Sequence, residues 1–185
     1  MAKTKSMKLI VAAVALLLVA ALTPARVGAA GEAIAICLEL NGFNSTNTSG
    51  ASGNTLIRVD GSATTYNNAL RLTQPNYSQA GTAVRRNQIK LENGFSTYFQ
   101  FKLSEGSNPP ADGLAFIVYK SDTPQIGEYG GGLGYMGIGN SIIVEFDTYQ
   151  NTEYGDPSSP SKYHFAIMKN GNPSLRIGIE GFKCL

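Results

Sequence analysis

Between residues 142 and 167 the sequence reads IIVEFDTYQNTEYGDPSSPSKYHFAI. An apolar run takes up acids at alternate positions, breaks into a polar loop at residues 151–161, and returns as a second apolar run at residues 163–168. Side chains of a strand alternate between its faces, so Glu145, Asp147 and Tyr149 fall on one face and Val144, Phe146 and Thr148 on the other. The stretch therefore reads as two strands joined by a loop, with two carboxylates side by side. Neighbouring carboxylates repel, and both stay ionised only when positive charge stands between them. Asn151, Asp156 and His164, the only histidine, add oxygen and nitrogen donors to the same unit. One reading is a solvated hairpin with a few acids and a hydrogen-bonded histidine. The concentration of donor types in one strand-loop-strand unit favours the other, a metal site.

The rest of the chain obeys the same period. Strand candidates fall at residues 34–43, 55–59, 69–73, 83–84 and 113–119, and turn signals at Asp60-Gly61, Asn67-Asn68 and Gln74-Pro75-Asn76 separate several of them. Phe95, Thr97, Phe99, Phe101 and Leu103 alternate with Ser96, Tyr98, Gln100 and Lys102, which predicts the longest half-buried strand of the chain. No segment beyond residue 30 shows helical periodicity. Short strands about ten residues apart, with Gly and Asn at the bends, predict an all-β antiparallel two-sheet sandwich.

The first thirty residues differ. Lys3, Lys5 and Lys8 precede an apolar run at residues 9–22, and Gly28, Ala29 and Ala30 follow, which is the pattern of a secretory signal peptide cut near Ala29 or Ala30. The run is shorter than the roughly 20 residues of a bilayer span, which argues against an uncleaved anchor. Domain organisation is then a leader at residues 1–30 and one domain at residues 31–185. Of 15 basic and 13 acidic residues the leader holds Lys3, Lys5, Lys8 and Arg26, so the secreted domain keeps 11 and 13, a net charge of −2. That balance excludes the basic stripe of a nucleic-acid binder. Cys37 and Cys184 stand near the two ends of the domain, and an extracellular location permits, without requiring, a disulfide between them.

Three groups of residues carry a family resemblance. EFDTYQN, GDP and HFAI in the hairpin, PADGLAF at residues 110–116, and GGGLGY at residues 130–135 occur in the order found in the L-type (legume-type) lectins, which this chain resembles. GFNS at residues 42–45, ALRLT at residues 69–73 and FSTYFQF at residues 95–101 extend the similarity over most of the chain after residue 40.

The resemblance implies a concanavalin-like jelly-roll sandwich, secreted, that binds glycans. It implies a cis peptide bond before Asp112, which would face the sugar, and a backbone N–H offered to a sugar hydroxyl by Gly131 or Gly132. The donor chemistry suits two adjacent ions. Glu145, Asp147, Asp156 and His164 fit Mn²⁺ or another transition ion, and Asp147, the Tyr149 carbonyl, Asn151 and Asp156 fit Ca²⁺. The carbohydrate site would comprise Asp112, Gly131 or Gly132, the Tyr149 ring and the Asn151 amide, with no catalytic residue. No membrane partner is expected once the leader is cut, and presentation on a homo-oligomer would raise avidity.

Two departures from the family pattern are visible. Residues 157–163 lengthen the interval between Asp156 and His164, and only residues 172–185 follow the hairpin, where family domains continue with further strands; a sandwich shortened at its C-terminus, with exposed sheet edges, is expected. Two other functions compete. Sandwich glycoside hydrolases use Glu-x-Asp-x-x-Glu on one strand, but the sixth position here is Gln150, which serves neither as nucleophile nor as acid. A lectin-like module that binds protein rather than sugar would not need Asp112, Asn151 and the glycine loop together. Four glycines in residues 130–134 suggest a phosphate cradle, yet no Lys-Ser/Thr pair or helix follows.

Overall fold

A computed structural model of the chain describes residues 10–12, 40, 42–45, 47–50, 52–89, 91, 95–104, 110–158 and 163–181. In chain order its strands are β1 (Ile10–Ala12), β2 (Thr48–Ser49), β3 (Ile57–Gly61), β4 (Thr64–Tyr66), β5 (Ala69–Thr73), β6 (Gly81–Arg85), β7 (Lys102–Ser104), β8 (Gly113–Tyr119), β9 (Ser141–Asp147), β10 (His164–Lys169) and β11 (Asn172–Gly181). Among the described residues the helical segments are two single turns of 3-10 helix, Gly130–Gly132 and Thr152–Tyr154. No helix there is long and apolar enough to cross a membrane. The all-β expectation holds.

The strands form three ladders, ordered β11-β10-β9-β8, β4-β5-β1-β7 and β2-β3-β6. Their pairings are antiparallel except for β2 with β3, which is parallel. Asn67 and Asn68, both at positive φ (49° and 61°), close the β4–β5 hairpin, and Asn170 and Gly171 (57° and 61°) close β10–β11. These are the left-handed angles of two-residue hairpin turns. A Cβ on Gly171 would lie 2.4 Å from the Ile138 nitrogen, so this turn also brings a second loop close.

In β9 and β10 exposure alternates. Ile143, Glu145, Asp147, His164, Ala166 and Met168 are buried, whereas Ile142 is 49% exposed and Phe165 and Ile167 are each 37% exposed. Tyr135, Ile143, Ala166 and Met168 make one core cluster, and Leu40, Phe43, Ile57 and Leu70 another. A groove of about 1170 Å³ opens between the sheets, lined by Ile57, Leu72, Ala83, Leu114 and Phe116 among others.

Three expectations need correction or placing. Residues 95–103 do not form one long strand: the ladder begins only at Lys102, with an isolated bridge at Tyr98. The side-chain alternation survives only from Thr97 onward, because Phe95 is 47% exposed, whereas Phe99 stacks on Phe116 (5.4 Å between ring centroids) and Phe101 lies 4.7 Å from Phe146. Alternation fixes where side chains go; a strand needs in addition a neighbour that accepts its hydrogen bonds. Tyr149 does not continue the strand face of Glu145 and Asp147, since β9 ends at Asp147 and the Tyr149 N–H turns back onto Asp147 Oδ1 at 2.6 Å. The strand expected at residues 34–43 falls mostly outside the described residues, as do Cys37 and Cys184, while Leu40 and Phe43 are buried. Ile10–Ala12, within the segment read as a leader, pair with β5 and β7.

Candidate functional site

The β9–β10 ladder places Asp147 opposite His164 and Glu145 opposite Ala166. Paired residues share a face, so both acids and the histidine meet on the covered side of the sheet. Glu145, Asp147 and His164 are 2%, 3% and 0% exposed, and each offers one ligand atom within 4.8 Å of the others. His164 Nε2 stands 3.3 Å from Glu145 Oε1 and 3.6 Å from Asp156 Oδ1. The buried Tyr135 hydroxyl donates to Glu145 Oε2 at 2.7 Å.

Burial pushes the Asp147 carboxyl up to about 8; Asp156 and Glu145 add repulsion, while the Tyr149 N–H and His164 hold the value down. Burial also raises Tyr135 out of its ordinary range, with Glu145 reinforcing the shift. A buried carboxyl that holds its proton to so high a pH is one whose charge lacks compensation, which a divalent cation supplies.

Asp156 is brought in by its loop. Its Oδ2 accepts the Asn151 N–H at 2.5 Å, and the Asn151 carbonyl accepts the N–H groups of Tyr154 and Asp156. Asn151 Nδ2 reaches Glu153 Oε1 at 3.3 Å, but Asn151 Oδ1 is buried with no hydrogen-bond partner. An oriented amide oxygen without a donor is what an oxygen-seeking cation takes up, so the residues present fit metal binding.

Above this cluster lies the glycine loop. The Ala111–Asp112 peptide is cis, and the Asp112 carbonyl accepts both the Thr148 N–H (2.8 Å) and the Thr148 hydroxyl (2.9 Å). Burial raises the Asp112 carboxyl above its usual range. A Cβ on Gly130 would lie 4.0 Å from Asp112 Oδ2, and one on Gly131 would meet Asn151 Nδ2 at 2.8 Å. Asp112 and Asn151 thus converge on consecutive glycines, and only glycine permits the second approach. Gly132 turns the other way, toward Glu128 and Met136, and its N–H donates to the Tyr129 carbonyl at 3.3 Å. The Tyr149 side chain is 38% exposed.

Two members of the site were not read from the sequence. Tyr135 lay in the GGGLGY motif, where a buried tyrosine needing an acceptor was a usable signal. Arg176 donates from Nη2 to Asp156 Oδ1 and from Nη1 to the Gly155 carbonyl (2.7 Å). Its placement depends on irregular register between β10 and β11, which no local pattern announces.

A sandwich with carboxylates, an amide and a histidine gathered at one sheet, beneath a loop of glycines, is of the concanavalin-like class. The chain belongs to the L-type lectin family: the family's legume lectin beta-barrel domain matches residues 45–179. It is 34% identical over 137 residues to a lectin of Bauhinia forficata, an alignment covering 65% of this chain and 57% of that one. It is 36% identical over 103 residues to the 2-acetamido-2-deoxy-D-galactose-binding seed lectin 2 of Cytisus scoparius, covering 50% of this chain and 40% of that one. The fold matches the solved lectin from Bauhinia forficata in complex with GalNAc with a TM-score of 0.52 at 24% identity, over 71% of this chain and 62% of that one. The chain therefore spans about half the length of the curated relatives it matches. The legume lectins among these relatives are non-enzymatic carbohydrate-binding proteins.

Proposed function

We propose that this domain is a lectin that binds glycans reversibly at a surface site formed by Asp112, Gly131, Tyr149 and Asn151. The observation that carries the reading is the convergence of the Asp112 carboxylate and the Asn151 amide on the adjacent glycines Gly130 and Gly131. A carboxylate and an amide read neighbouring sugar hydroxyls as acceptor and donor, and the half-exposed Tyr149 ring offers an apolar surface to a sugar ring. We take Gly131 rather than Gly132 as the backbone donor, because the Gly132 N–H is directed to Tyr129.

Two ions would organise the site. Glu145, Asp147, Asp156 and His164 would hold a transition ion such as Mn²⁺; Asp147, the Tyr149 carbonyl, Asn151 and Asp156 would hold Ca²⁺. The cations neutralise buried carboxylates and fix the loop, and sugar recognition itself is done by the chain's own groups. We further propose that residues 1–30 are a leader, that the protein is secreted, and that several copies act together, since a single shallow site binding at about millimolar supplies only roughly 4 kcal/mol.

The test is a glycan array run with and without Ca²⁺, with N-acetylgalactosamine included because one relative is named for binding it and another lectin was solved in complex with it. Wild type and Asp112→Asn are then titrated with the selected glycan. Asp112→Asn leaves an amide N–H against a sugar hydroxyl and is expected to weaken binding by about 1–3 kcal/mol with metal content unchanged. Equal affinities would move the sugar elsewhere, and release of reducing ends would establish hydrolysis.

A further inference from the structure

Arg176 has no part in the sugar reading. Extra residues on β11 on either side of it leave it paired with Met168, and so on the face shared by His164, Ala166 and Met168. Its side chain is 17% exposed, against 2% for Asp156. The guanidinium ties Asp156 Oδ1 to the Gly155 carbonyl, while Asp156 Oδ2 holds the Asn151 N–H. Both oxygens of the loop's acid are thus engaged, one of them by a charge that is never lost at accessible pH.

An oxygen that accepts a guanidinium N–H has less to give a cation, and the guanidinium repels a cation brought to the same carboxylate. Two divalent ions and Arg176 would set five positive charges against the three acids Glu145, Asp147 and Asp156. The same contact does mechanically what an ion does, since it fixes Asp156 and through it Asn151.

We propose that Arg176 is an internal cation that competes with Ca²⁺ or Mn²⁺ for Asp156, weakening ion binding and keeping the sugar loop ordered when ions are withdrawn. The inference rests on the metal reading above. It separates this chain's loop from one that metal alone assembles.

The experiment titrates CaCl₂ and MnCl₂ separately into EDTA-treated full-length wild type, Arg176→Gln and Arg176→Lys, and follows amide hydrogen exchange of residues 148–156 in EDTA. Arg176→Gln is expected to bind at least one ion tenfold to a hundredfold more tightly than wild type, and to lose protection in EDTA; Arg176→Lys, which keeps the charge, stays near wild type. Equal ion affinities in wild type and Arg176→Gln, with equal protection, overturn the proposal. If no variant takes up either ion, the metal reading fails, and exchange alone decides the role of Arg176: loss of protection in Arg176→Gln upholds it, unchanged protection removes it. Should Arg176→Gln not fold, wild type decides, because loop protection falling more than tenfold on chelation overturns the proposal and a change within twofold supports it.

Discussion

The two faces of the β8–β11 sheet have opposite habits. On one, Glu145, Asp147 and His164 are buried; on the other, Ile142, Phe165 and Ile167 stand between a third and a half exposed. The buried face is covered by the loop between β8 and β9, which is fastened to itself (Gly127 N–H to the Gly134 carbonyl, 2.8 Å) and to the β10–β11 turn (Gly137 N–H to the Gly171 carbonyl, 2.9 Å). On the opposite face Phe99 and Phe101 cover Phe116 and Phe146 at one end only. The difference teaches that burial follows from what lies over a face. Polar groups are buried here because each acquires a partner, and a covered polar face with partners outlasts an apolar face without a cover.

Adjacent residues of β9 give the sharpest way to break this comparison. Ile143 is fully buried and Ile142 half exposed, so Ile143→Ala is expected to cost about 2–5 kcal/mol. Ile142→Ala should cost less than about 1 kcal/mol. Urea midpoints of the two variants check it, and similar losses would mean that the second face is covered in solution.

Tyr135→Phe removes the donor to Glu145 Oε2 and keeps the ring. A loss of about 1–3 kcal/mol is expected, with the tertiary fold retained, as read by denaturation and near-ultraviolet circular dichroism.

The pH dependence tests the same face. Because Asp147 is raised in the folded protein from 3.8 to about 8, its contribution to stability is fully present below 3.8 and declines as pH rises through about 8. EDTA-treated protein should therefore have a lower urea midpoint at pH 9 than at pH 6. Asp147→Asn should flatten that difference, and Ca²⁺ with Mn²⁺ should reduce it. An undiminished loss in Asp147→Asn would place the titrating group elsewhere.

The smallest expected effect lies on the open face. Phe165→Thr and Ile167→Thr should change stability by less than about 1 kcal/mol each while reducing association, measured by light scattering of the chain with and without residues 1–30. Large apolar patches draw partners, and removal of residues 1–30 would also withdraw β1 from between β5 and β7.

Much of the candidate site was legible because its residues lie close in sequence. Glu145, Asp147, Asn151, Asp156 and His164 fall within one hairpin whose alternation is plain, and the strand Gly113–Tyr119 is a plain apolar run, whereas the cis bond before Asp112 was implied by the family resemblance and not by the residues themselves. What failed had a different physical origin. The alternation of residues 97–103 was real, but a ladder depends on a neighbour that local sequence does not name. Arg176 enters the site through extra residues in β11, and period-two reading cannot survive an irregular register. Nor does alternation say which face will be covered, which is why the unequal faces emerged only in three dimensions.

Ala166 sits fully buried between His164 and Met168, opposite Glu145 and in the cluster with Tyr135. Its single methyl leaves the height above the sheet that the tyrosine ring fills on its way to Glu145. Phe165 and Ile167 have room for other side chains, whereas a larger residue at position 166 would press on the cluster that holds the Tyr135 hydroxyl against Glu145. The freedom of this sequence to vary is thus set less by its donors than by the smallest side chain among them.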